Sequence, residues 1–135
     1  MMKDQTSSVQ VLLVEDDPWQ AELEAGVLTQ AGYVVVHAPH APSAIAKIDE
    51  SRPDIIILDV LLTGSTAFAL LHELQSYGDT NRIPVILCTN MAENLNVDEL
   101  KQYGVRRIVD KTTMQLDDLP VAIKSILDIS VKDSL

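Results

Sequence analysis

Polar residues that break the apolar pattern of this 135-residue chain collect just past runs of aliphatic residues. Glu15, Asp16 and Asp17 follow the run 11–14, Asp59 follows 55–58, Thr89 and Asn90 follow the run around 83–87, and Lys111 follows 105–109. If those runs are parallel strands, their ends share one edge, and two distant segments deliver carboxylates to one crevice. Two unit charges about 4 Å apart repel by about 1 kcal/mol in water and about 4 kcal/mol at an effective dielectric near 20, so such a cluster needs a cation or a proton. A hard divalent ion such as Mg²⁺ answers that need, because it takes oxygen ligands and keeps several waters. The Thr89 hydroxyl and the Lys111 ammonium add what an oxyanion bridged to that ion requires, a phosphoryl group for example.

The elements that must position these groups are legible as alternation. The strand-length runs are 11–14, 33–36, 55–58, 83–87 and 105–109, rich in β-branched and aliphatic residues. Between them, apolar residues recur at three and four: Trp19, Leu23 and Val27; Ala41, Ala44, Ile45 and Ile48; Phe68, Leu71 and Leu74; Leu100 and Tyr103; and Leu116, Leu119, Ile123, Ile126 and Leu127. That spacing is one buried helical stripe in each case, which makes a (βα)5 string. Asp17 followed by Pro18 reads as an N-cap with proline in the first turn, and Gly32 and Gly104 stand where helices should stop. Strands apolar on both faces call for a parallel sheet covered by helices on both sides, a doubly wound α/β fold. Arg106 and Arg107 interrupt the fifth run and place it at an exposed edge.

Composition narrows the partners. Twenty acidic against ten basic residues give a net charge of −10, which disfavours direct nucleic-acid binding. No run is long enough to span a membrane, and Cys88, the only cysteine, reads as a small buried hydrophobe. The expectation is a cytoplasmic chain with one domain over residues 9–130 and tails at 1–8 and 131–135. His37, His40 and His72 show no metal-ligand spacing.

Four stretches, taken in order, resemble the receiver domain of two-component response regulators. They are Val-Leu-Leu-Val-Glu15-Asp16-Asp17-Pro18, Pro53-Asp-Ile-Ile-Ile-Leu-Asp59, Pro84-Val-Ile-Leu-Cys-Thr89 and Ile108-Val-Asp-Lys111. The resemblance implies a flavodoxin-like sheet of five parallel strands in the order 2-1-3-4-5. It makes Asp59 the phosphoryl acceptor, with Thr89 and Lys111 on the phosphoryl oxygens. Mg²⁺ would be held by Asp16, Asp59 and the Leu61 carbonyl, and by Glu15 through water. It further implies a sensor histidine kinase or histidine phosphotransfer protein as donor, a downstream protein target, and a face of fourth helix, fifth strand and fifth helix that a partner or a second copy, as a homodimer, can read. Under this reading the chain is a single-domain switch and no enzyme beyond self-phosphorylation and slow autodephosphorylation. The alternative is a receiver-like adaptor that works without phosphorylation.

The departures from the family pattern lie at Thr63, Thr66 and Ala67 in the loop after Asp59, at Thr112 where the family has a cis-proline, and at Ile108 where it has an aromatic switch residue. A non-proline cis bond costs about 3 kcal/mol, so a trans bond is expected before Thr112. Leu61 and Met91, two residues past the acceptor and two past the hydroxyl residue, are apolar and offer nothing to orient an attacking water. The phosphorylated form should therefore be long-lived. A phosphate-release time course checks this, and a half-life of seconds contradicts it.

Overall fold

In a computed structural model that describes residues 9–59, 65–76, 83–90 and 95–134, strands and helices alternate along the chain. They are β1 (Gln10–Glu15), α1 (Pro18–Gln30), β2 (Val34–Ala38), α2 (Ala41–Glu50), β3 (Ile55–Asp59), α3 (Ser65–Ser76), β4 (Val85–Thr89), α4 (Val97–Leu100), β5 (Val105–Asp110) and α5 (Asp118–Ser134). A 3₁₀ turn over Lys101–Tyr103 joins α4 to β5. The strands form one sheet in the order β2-β1-β3-β4-β5, and each neighbouring pair is parallel. This is the doubly wound, flavodoxin-like arrangement that the sequence implies. The order reverses between β1 and β3, so the crevice at their C-terminal ends is the topological switch point.

Side-chain alternation splits the core into two layers. Val11, Leu13, Ile55, Ile57, Ile86 and Cys88 face α1 and α5, where Ala21, Leu28, Leu119 and Ile123 meet them. Leu12, Val14, Ile56, Leu58, Val85 and Leu87 face the other way, against Ala44, Ile48, Leu70, Leu71, Leu74 and Leu100. The stripes expected for α2 and α4 lie in these layers, as do Leu71 and Leu74 of α3 and Leu119, Ile123, Ile126 and Leu127 of α5; Leu116 precedes α5 and is in neither.

Helix α1 is differently phased from the expectation. Trp19 is 76% exposed and Leu23 52%, and the buried residues are Ala21, Glu24 and Leu28. The cap itself is as expected: the Asp17 carboxylate accepts from the Trp19 N–H at 2.9 Å, and Pro18 opens the helix. The small side chains of Ala21 and Ala25 turn to the sheet and allow a close approach that Trp19 and Leu23 would block. Large apolar residues at helical spacing marked the wrong face. At the other end, α5 runs to Ser134 where a tail from 131 is expected, because no Gly or Pro follows Leu127 to stop it. Gly32 and Gly104 adopt positive φ, 100° and 86°, and end their helical segments as read from sequence.

Strand β5 carries one extra residue. Val85 pairs with Val105 but Ile86 pairs with Arg107, so Arg106 is bulged out. Val105 and Val109, four apart, would share a face in a regular strand. Here Val105 packs in the α2–α4 layer and Val109 against the α1–α5 layer. The bulge thus inverts the alternation for everything after it. Arg106 and Arg107 are both exposed on this edge.

The phase of α1 is open to a direct check. Leu28→Ala should destabilise the chain by about 3 kcal/mol, whereas Leu23→Ala should change it by no more than about 0.5 kcal/mol, as read from urea midpoints. A larger loss for the Leu23 substitution would contradict the packing described.

Candidate functional site

The pairing of β1 with β3 sets Glu15 opposite Asp59 in register. Both lie on the α1–α5 face, since they continue the alternation Val11, Leu13, Glu15 and Ile55, Ile57, Asp59. Each is buried, with 1% of Glu15 and none of Asp59 exposed. Lys111 reaches them from β5: its Nζ lies 2.5 Å from Asp59 Oδ1 and 3.8 Å from Glu15 Oε1. Lys111 stands two residues beyond Val109, so the bulge at Arg106 is what turns it to this face and not the opposite one.

Backbone contacts hold the lysine in place. The Lys111 N–H donates to the Thr89 carbonyl at 2.9 Å, extending the β4–β5 pairing by one step. Asp110 Oδ1 accepts from the Thr112 N–H at 2.9 Å and from its hydroxyl at 2.6 Å, which turns the chain as it leaves β5. Those two bonds hold the Asp110 carboxyl below its usual range. The described residues contain no cis peptide bond, so the bond before Thr112 is trans as expected. Thr89 is fully buried at the end of β4, one residue past Cys88, the in-register partner of Asp59.

A third buried acid completes the pocket. Glu24 of α1 is 0% exposed, and one oxygen from each of Glu15, Glu24 and Asp59 lies within 4.8 Å of the others. Sequence reading missed it because the assumed phase of α1 turned it to solvent. The available signal is an acid set among Ala21, Ala25 and Leu28, a second and smaller stripe in the same helix. Asp16, by contrast, is exposed at the rim and stands outside the buried trio. Leu61, Thr63 and Met91 lie outside the described residues.

Donors are scarce around these carboxylates. Glu15 Oε2 accepts from the Asp17 N–H at 2.9 Å, and Glu24 Oε2 accepts from Gln20 Nε2 at 3.2 Å. Asp59 Oδ1 is engaged by Lys111, but Asp59 Oδ2, Glu15 Oε1 and Glu24 Oε1 are buried without a hydrogen-bond donor. His37 Nε2 sits 2.7 Å from the Glu15 carbonyl oxygen; the carbonyl can only accept, so the Nε2–H tautomer donates and pins the end of β1.

The electrostatics follow from that shortage. Burial pushes the Glu15 carboxyl up to about 8; the Asp17 N–H opposes this and the Asp59 charge adds to it. Burial, with the contact and charge of Asp59, pushes Glu24 up to about 9. Burial pulls Lys111 down, but its bond to Asp59 and the surrounding negative charges outweigh that and raise it. Burial and the Asp59 charge likewise push the Cys88 thiol well up. Buried, donor-poor carboxylate oxygens beside one ammonium form a donor set suited to a divalent cation, which takes oxygen ligands alone.

Between about pH 5 and about pH 8 the folded chain holds protons on Glu15 and Glu24 that the unfolded chain has released, so stability falls as pH rises. In the presence of a chelator the melting temperature should therefore drop across that window, and saturating Mg²⁺ should flatten the drop. A chelated protein whose melting temperature rises with pH contradicts it.

A family model of the response regulator receiver domain matches residues 11–124. Among characterised proteins, TcrX of Mycobacterium tuberculosis, a probable transcriptional regulatory protein, is 37% identical over 81 residues, which is 60% of this chain and 34% of that protein. PilH of Pseudomonas aeruginosa is 25% identical over 101 residues, covering 75% of this chain and 84% of PilH. The chain thus spans about a third of TcrX. Among solved structures, the signal receiver domain of a histidine kinase from Syntrophus aciditrophicus superposes with a TM-score of 0.72 at 30% identity, covering 88% of this chain and 89% of that one. The receiver domain of the Pseudomonas aeruginosa sensor kinase PA1611, with magnesium coordinated in its active-site cleft, has the same fold, with a TM-score of 0.74 at 22% identity over 87% of this chain and 96% of that one. No described helix is long and apolar enough to cross a membrane. The receiver model covers most of the chain and the sheet order agrees with it: this protein belongs to the response regulator receiver domain family.

Proposed function

We propose that Asp59 accepts a phosphoryl group from a sensor histidine kinase or a histidine phosphotransfer protein in a Mg²⁺-dependent phosphorelay, and that the phosphorylated chain signals through a downstream protein. The observation that carries this reading is the buried contact of Lys111 Nζ with Asp59 Oδ1 at the switch point of the sheet. In-line phosphoryl transfer asks a protein chiefly to place the nucleophile and to neutralise developing charge on the phosphoryl oxygens. With Oδ1 held by the ammonium, Asp59 Oδ2 is the carboxylate oxygen left to attack. The new bond joins that oxygen to phosphorus, the bond from phosphorus to the donor's imidazole nitrogen breaks, and the imidazole takes up a proton. Lys111 then pairs with a phosphoryl oxygen, and the Thr89 hydroxyl donates to another.

Glu15, Asp16 and Asp59 would hold the divalent ion, together with the Leu61 carbonyl. When bound, the ion supplies positive charge to the phosphoryl oxygens. Magnesium in the cleft of the PA1611 receiver, whose fold this chain shares, supports that choice. We place the protein in the cytoplasm, where such kinases present their phosphohistidine, and treat a homodimer through α4, β5 and α5 as one way the state is read.

One observation favours a second reading, an adaptor that works without phosphorylation. Ile108 is half-buried and packed in the α2–α4 layer, and it has no hydroxyl to exchange partners when Asp59 changes state. Intact mass after incubation with Mg²⁺ and acetyl phosphate separates the two. The phosphorelay reading expects the gain of one phosphoryl group in the unaltered chain and none in Asp59→Ala. It also expects the gain to be slowed by about two orders of magnitude in Lys111→Ala, which lacks the charge-neutralising ammonium. No gain from any phosphodonor leaves the adaptor.

A further inference from the structure

Glu24 is unexplained by the phosphoryl chemistry above. It sits on the packed face of α1 between Ala21 and Leu28, a position whose helix neighbours on that face are apolar. A carboxylate there is costly: a buried acid without full hydrogen bonding destabilises a core by several kcal/mol relative to an apolar residue. Its Oε2 has one donor, the Gln20 amide, and its Oε1 has none. The charged neighbour it faces is Asp59, a second acid, and Lys111 is already engaged with Asp59 and Glu15. The fully buried Oε1 therefore lies in a pocket of like charge with no hydrogen-bond donor to answer it among the described residues.

We propose that Glu24 is an inner carboxylate of the cation site, so that one divalent ion is shared by Glu15, Glu24 and Asp59, with Asp16 at the rim. The inference rests on the reading that this pocket binds a divalent ion. One oxygen of each buried acid lies within 4.8 Å of the others, so the three face one small volume that a single divalent ion would fill once the side chains close on it. The acid count also bears on which ion is preferred. Mg²⁺ is commonly held through one or two carboxylates and keeps several waters, whereas larger ions accept more oxygen ligands in looser geometry. Three buried acids and a fourth at the rim thus favour Mn²⁺ over Mg²⁺ more strongly than a site without Glu24 would.

Calorimetric titration of the full chain with Mn²⁺ and with Mg²⁺ tests this in the unaltered protein, in Glu24→Gln and in Glu24→Leu. The expected result is a loss of at least about tenfold in Mn²⁺ affinity in both variants, with a smaller loss for Mg²⁺. Glu24→Leu should also raise the melting temperature under chelator, since it replaces an unanswered buried acid by an apolar side chain. Mn²⁺ affinity within about twofold of the unaltered chain in both variants overturns the proposal. A chain that resists every phosphodonor yet loses Mn²⁺ with Glu24 removes the phosphorelay and keeps this site. A chain phosphorylated on Asp59 whose Mn²⁺ affinity ignores Glu24 does the reverse.

Discussion

Glu15 and Asp59 face each other across neighbouring parallel strands, both out of water, and their mutual repulsion organises the upper edge of the sheet. Parallel pairing in register makes the approach unavoidable once both strands end in an acid. The nearby positive charge of the chain comes from Lys111, which crosses from the far side of β4 to touch both. A site built this way is held together by what it lacks. With one ammonium among three buried carboxylates, charge balance calls for protons or a cation from outside.

Much of this was readable before any coordinates. Strand identity came from β-branched runs, and the acids and Lys111 could be placed at one edge because parallel strands point their C-termini the same way. Asp17–Pro18 fixed the start of α1, and the two glycines fixed two helical ends. What could not be read is the rotation of α1 about its own axis. Trp19, Leu23 and Val27 satisfy helical spacing, but so do Ala21, Glu24 and Leu28, and hydrophobicity alone prefers the first set. Packing chose the second because alanine lets the helix lie close to the sheet, and tertiary fit outweighs the transfer energy of two half-exposed side chains. That single rotation hid Glu24.

The same rotation leaves an aromatic ring and a leucine in water on the outer side of α1, beside the opening of the acidic pocket. Three histidines that carry no metal spacing acquire structural duties. His37 steadies the end of β1, His40 forms a capping box with Ser43 at the start of α2, and His72 meets Tyr103 edge-on at 4.9 Å, tying α3 to the turn before β5. Each acts through a local contact that residue type alone does not announce.

The irregularity at Arg106 has a broader meaning for how such a chain tolerates change. Between the core anchor Val105 and the Lys111 ammonium, side-chain identity is loosely held at Arg106 and Arg107, which both lie in solvent. The count of residues is not. An odd number of intervening positions without the bulge, or an even number with it, would aim the amine into the hydrocarbon layer beneath α3. The fifth strand therefore stores part of its functional information as arithmetic, in a residue count that holds even where the two exposed arginines are free to drift.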